Sequence, residues 1–124
     1  MARKLGVTSF KLVTNDMSAS FFSVPSNVDQ VDNIGFYVKW TSSDAVGTIS
    51  VQGSINAEVV NGVARSGDWE DLTFDPLLSQ PNSNDDNYLI NINQFPYPWI
   101  RIAYTRTSGT GLLEIWECTK SVGA

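Results

Sequence analysis

The chain has 124 residues, 42% of them hydrophobic and 17% charged, with a formal net charge of −5. This length argues for one domain, and the balance suits a buried core rather than disorder. The acidic average field disfavours duplex nucleic acid and anionic membrane surfaces as direct partners, and no apolar run approaches the roughly 18 residues of a membrane-spanning helix.

Residues 1–8 carry Arg3 and Lys4 and show no pairing pattern. They read as an extended N-terminal arm, either an assembly arm or a frayed terminus. No secretory signal is expected, because Lys11 interrupts any apolar stretch behind the basic residues. Residues 9–124 read as a single β-sandwich domain. The dominant hydrophobic period is two. Ile34, Phe36, Val38 and Trp40 alternate with Gly35, Tyr37, Lys39 and Thr41. Ile49, Val51, Gly53 and Ile55 alternate with Thr48, Ser50, Gln52 and Ser54. Ile100, Ile102 and Tyr104 alternate with Arg101, Ala103 and Thr105. One apolar and one polar face is what half-buried strands require. Further strands are predicted over 10–14, 21–24, 88–93 and 112–119, and no amphipathic helix of three turns appears.

Turn chemistry separates these runs at Ser42-Ser43-Asp44, Asn61-Gly62, Ser66-Gly67-Asp68, residues 80–87 and Ser108-Gly109-Thr110-Gly111. The last is expected to close a hairpin between 101–106 and 112–119, with glycine supplying a positive φ. About seven to eight short strands predict an all-β, antiparallel, jelly-roll-like sandwich. The final run, Leu112 to Cys118, is apolar on both faces. It is either covered on both sides or meets a partner with its outer face. Cys118, the single cysteine, reads as a small buried hydrophobe.

The chemistry is sparse. There is no histidine, which removes the usual general base and imidazole ligand. One cysteine allows neither an intrachain disulfide nor a cysteine zinc site, as suits folding in a reducing cytoplasm. No phosphate-binding glycine motif is present. Asp68, Glu70, Asp71 and Asp75 around Trp69 could in principle supply a carboxylate pair, but read as a solvated loop edge. Asn82, Asn84, Asp85, Asp86 and Asn87 offer calcium-like oxygens without EF-hand order, and read as a polar loop. Asn91, Asn93 and Gln94 beside Phe95, Pro96, Tyr97, Pro98 and Trp99 suit either a turn into a core strand or a carbohydrate contact. No catalytic residue, metal or cofactor is assigned, and the chain is not expected to be an enzyme.

Four segments together resemble small β-sandwich structural proteins of tailed bacteriophages: Val51-Gln52-Gly53-Ser54, Gly67 to Leu72, Ile90 to Thr105 and Ser108 to Gly111. The most specific is the run P-x-x-W-I-R-I-x-Y-T-R-T-S-G-T-G beginning at Pro96. The resemblance covers roughly residues 34–120. It implies a virion component made in the host cytoplasm, a capsid decoration protein or a small head or tail accessory protein. Such a protein would dock on the major capsid protein or other virion proteins, usually as a homo-oligomer. A carbohydrate- or receptor-binding module of a tail is the alternative. Candidate interface residues are Trp116, Leu112, Trp99, Tyr97, Phe95, Arg3 and Lys4.

Overall fold

The computed structural model describes residues 5–29 and 31–122. Every regular element among them is a strand: β1 (Leu5–Asp16), β2 (Phe21–Phe22), β3 (Ser26–Asn27), β4 (Asn33–Thr41), β5 (Val46–Ser54), β6 (Glu58–Val60), β7 (Val63–Ser66), β8 (Glu70–Asp71), β9 (Asp86–Asn93), β10 (Trp99–Ser108) and β11 (Leu112–Val122). A first sheet has the order β1-β11-β4-β9. A second has β2-β10-β5-β8, with β3 also on β10, and β6-β7 forms a separate small ribbon.

All pairs are antiparallel, and they nest from the ends of the chain inwards. β1 pairs with β11, β2 and β3 with β10, β4 with β9, and β5 with β8. The pairings β11·β4 and β10·β5 then join these ribbons side by side. This is the connectivity of a jelly-roll sandwich, as the sequence predicts. β2 and β3 act as one strand broken at Pro25, which has no N–H to give a ladder and so suits an edge. Ser23 fills the break: its N–H donates to Ile102 O at 2.8 Å, and its Oγ accepts from Ile102 N at 2.8 Å.

The alternation in β4 holds without exception. Ile34, Phe36, Val38 and Trp40 face inward and are buried, and they meet Ile49, Val51, Ile100, Ile102 and Tyr104 of the second sheet in one continuous core. Burying one face and wetting the other is what enforces this period.

Several expectations are corrected. β1 begins at Leu5, and its ladder to β11 starts at the pair Leu5↔Val122, so residues 5–8 of the expected arm belong to the sheet. Arg3 and Lys4 lie outside the described residues. β5 ends at Ser54, leaving Ile55 exposed. There Asn56 redirects the chain, accepting from Asp68 N at 2.8 Å and donating to Asp68 Oδ2 at 3.0 Å. Val59 and Val60, which lie in no predicted strand, pair with β7 across the Asn61-Gly62 turn, where both φ angles are positive.

The largest correction concerns 101–119. Gly109 does take a positive φ of 79°, but β10 and β11 do not form a hairpin. They lie in different sheets, and residues 109–111 arch across the edge of the sandwich. Asp44 holds the arch, accepting from Thr110 N at 2.7 Å through Oδ1 and donating its own N–H to Thr110 O at 3.1 Å. A glycine turn between two apolar strands serves a hairpin or an arch equally well. A side chain 66 residues away decides between them.

Candidate functional site

The outer face of the second sheet is tied down by one side chain. The Arg101 guanidinium lies between two rings, 3.9 Å from the Phe22 centroid and 4.1 Å from the Trp69 centroid. Its Nε donates to Gln52 Oε1 at 2.8 Å, and Gln52 Nε2 donates to Asp71 Oδ1 at 2.9 Å. The chain of contacts crosses β2, β10, β5 and β8. Burial lowers the Arg101 pKa, yet an arginine keeps its charge in any normal range. A flat guanidinium can stack on rings and donate in its own plane at the same time, which an ammonium cannot do. Arg101→Lys is therefore expected to cost about 1 kcal/mol, read as a lower urea midpoint at unchanged slope. An unchanged midpoint would remove the stack from the account of this face.

Beside this ladder the surface turns apolar. Phe22, Val24 and Val63 are 61%, 55% and 55% exposed. They line a shallow cleft of about 320 Å³ with Pro25, Ala64 and Arg101. The β6-β7 turn leans against it, so that a Cβ added at Gly62 would lie 3.5 Å from Val24 Cγ1. Val60, paired with Val63, extends the exposed apolar surface.

The outer face of the first sheet is built differently. Register places Lys11, Trp116, Tyr37 and Leu89 in one row across the four strands. The next row is Ser9, Cys118, Gly35 and Asn91, and beyond it stand Lys120, Asn33 and Asn93. The middle row is low, so a trough of about 500 Å³ lies between an aromatic wall and an amide wall. Trp116 is half-buried: Tyr37 lies 5.5 Å away between ring centroids, and Lys11 Nζ sits 5.0 Å over its ring. Lys11 also donates to Glu114 at 2.6 Å, which holds the Glu114 carboxyl below the usual carboxylate range.

The expected interface residues do not form one surface. Trp116 and Leu112 face outward on the first sheet. Trp99 is half-buried and Tyr97 exposed, at the far end of β10. Phe95 is buried in the core, packed edge-on to Tyr97 at 5.3 Å, so it cannot anchor a partner. Cys118, expected inside, is exposed. Period two permits only one of two neighbours to face inward, and in β11 the inward set is Leu113, Ile115 and Glu117. The buried Glu117 carboxylate accepts from Ser26 Oγ at 2.9 Å, and burial raises its pKa.

The acidic segment near Trp69 is structural where it is hydrogen-bonded: Asp68 holds Asn56, and Asp71 holds Gln52. In 82–87, Asp85 Oδ1 accepts from Ser43 N at 3.0 Å, Asn84 Oδ1 from Asn82 N at 3.0 Å, and Asp86 Oδ2 from Ser79 Oγ at 3.1 Å. These oxygens brace the segment and tie it to Ser43 and Ser79. Among the described residues no group of three or more His, Cys, Asp and Glu could hold a metal ion. The residues missed by sequence reasoning are Phe22, Val24, Val60 and Val63. Their local signals are the predicted strand 21–24, the Val59-Val60 pair and the Asn61-Gly62 turn, none of which says that these side chains share a surface.

Fold and surface define a jelly-roll sandwich with one laced face and one troughed face. Comparison with protein-family models, curated proteins and solved structures gave no match.

Proposed function

We propose that this chain is a non-enzymatic structural protein of a virion, of the capsid decoration kind, which docks on a preformed shell. The observation that carries the reading is the exposed apolar patch of Phe22, Val24, Val60 and Val63 beside the Arg101 ladder. Contiguous exposed apolar surface on a soluble domain marks a contact site. The rings and aliphatic side chains here are held by strands and a tight turn, so little side-chain freedom is lost on docking. The resemblance of residues 96–111 to phage structural proteins and the lack of any histidine support the same reading.

The test is stoichiometric. Purified particles should carry many copies of the chain, and stripped particles should rebind it. The double variant Val24→Asp, Val63→Asp is expected to lose rebinding at least about tenfold, with its thermal midpoint little changed because both side chains are exposed. Particles without the chain, or undiminished rebinding by the double variant, would overturn the proposal.

A further inference from the structure

We infer that the trough on the first sheet is a binding site for an oligosaccharide. It lies on the opposite sheet from the proposed docking patch and does not depend on it.

The first ground is Gly35. A glycine inside a strand costs roughly 0.5–1 kcal/mol relative to alanine, and most glycines in this chain have a local reason for being there. Gly47, Gly53 and Gly111 are crowded, and Gly62, Gly67 and Gly109 have positive φ. Gly35 has neither. A Cβ there would meet Ile90 O at 3.6 Å and Cys118 O at 3.9 Å, which is ordinary contact. The fold would accept a side chain, and its absence leaves the middle of the trough open. An interior strand glycine without a backbone reason marks close approach by something else.

The second ground is the chemistry of the walls. On one side stand Trp116, Tyr37 and Leu89. On the other, the amides of Asn33, Asn91 and Asn93 make no hydrogen bond to any described residue. Each of these amides offers two N–H donors and one acceptor oxygen. The backbone groups of the floor belong to the β11·β4 and β4·β9 ladders, so a ligand must be read by side chains. A peptide adding as a strand needs a free sheet edge, whereas this trough crosses the face. A wholly apolar ligand would strip water from the amides without replacing their hydrogen bonds. A pyranose meets both walls, with C–H groups against rings and hydroxyls against amides. Among the described residues lining the site the only acidic one is Glu117, whose carboxyl turns inward to Ser26 and is 2% exposed, so no carboxylate faces the trough; Lys120 is exposed at the amide wall. The site therefore accepts neutral or carboxylated sugars. Four strands about 4.8 Å apart give a trough about 14 Å long, enough for more than one ring.

The experiment is an NMR titration of the whole ¹⁵N-labelled chain with maltotetraose, chitotetraose and tetragalacturonate as probes. Native alkylation of Cys118, which stands in the low row, is followed in parallel. At least one probe should shift the side-chain amide signals of Asn33, Asn91 and Asn93 and slow the alkylation. Gly35→Val should weaken that probe about tenfold or more while keeping the thermal midpoint, because valine suits a strand. Should Gly35→Val not fold, Asn91→Ala with Asn93→Ala, both exposed, gives the same reading. The inference is overturned if no probe moves these amides, or if binding survives the filled trough. It is also overturned if the trough proves to be self-association, seen as a dimer in sedimentation that Gly35→Val abolishes while no sugar binds.

Discussion

Trp40→Ala is expected to destabilise the protein by about 3–5 kcal/mol, a large fraction of the roughly 5–15 kcal/mol that holds a domain together. Trp40 is fully buried at the end of the inward row of β4 and packs edge-on against Tyr88, with ring centroids 5.8 Å apart at 79°. Removing it deletes the largest side chain in the core and leaves a cavity between two sheets. Both sheets are braced by ladders on either side, so neither can collapse far into the gap. Trp40→Phe makes the complementary case. The indole Nε1 is buried without a partner, so phenylalanine loses volume but also removes an unsatisfied donor. Its cost should fall well below that of alanine. Urea unfolding followed by circular dichroism measures both. A cost under about 1 kcal/mol for alanine would contradict a core centred on this residue.

Glu117→Gln is expected to stabilise the protein at neutral and alkaline pH and to leave it unchanged in acid. The carboxyl is 2% exposed, faces inward between the sheets, and has Ser26 Oγ as its hydrogen-bond donor at 2.9 Å. Desolvation raises its pKa in the folded chain, partly offset by that hydrogen bond. A group whose folded pKa lies above its unfolded value binds its proton more tightly in the native state. Its contribution to stability is complete below the unfolded pKa, near 4.5, and is lost as pH rises through the folded value. Glutamine keeps the shape and the acceptor but never ionises. The thermal midpoints of the two proteins should coincide at pH 4 and separate as pH rises, reaching a gap on the order of 5 °C at pH 8. Other carboxylates titrate in both proteins, so the difference between the curves isolates Glu117. A gap that is constant with pH, or that opens toward acid, would show that the carboxyl is not desolvated in the native state.

Glu117 also marks the boundary between what local sequence carries and what it does not. In Leu113-Glu114-Ile115-Trp116-Glu117-Cys118, hydrophobicity alone favours an inward Cys118 and an outward Glu117. The strand does the reverse because the register of Leu113 and Ile115 is worth two fully buried aliphatic side chains. Period two then carries Glu117 inside with them. The burial of one ionisable side chain is accepted because a one-residue slip would turn the whole strand inside out. The same logic explains why β4 was readable: its four inward residues are all large and apolar, so no competing register exists.

The candidate sites were less readable, since each is assembled from distant parts. Arg101 gains its stacking partners from Phe22 and Trp69, and no spacing rule connects these three. The trough takes its low row from Ser9, Cys118, Gly35 and Asn91, one residue from each of four strands. Tyr97 and Trp99 are close to Asn91 and Asn93 along the chain, yet the crossing from β9 to β10 carries them to the other sheet.

Local patterning is enough to make this protein all-β, to place its main strands, to choose the buried face of β4 and β10, and to turn the chain at Asn61-Gly62 and Gly109. These follow from side-chain alternation and backbone sterics, which act within a few residues. Which strands pair, the parting of β10 and β11 into opposite sheets, the outward Cys118 and inward Glu117, and which side chains share a surface are all set by packing between distant segments. Those outcomes depend on long-range closure of nested ribbons, where the free energy of a contact belongs to residues up to 117 positions apart.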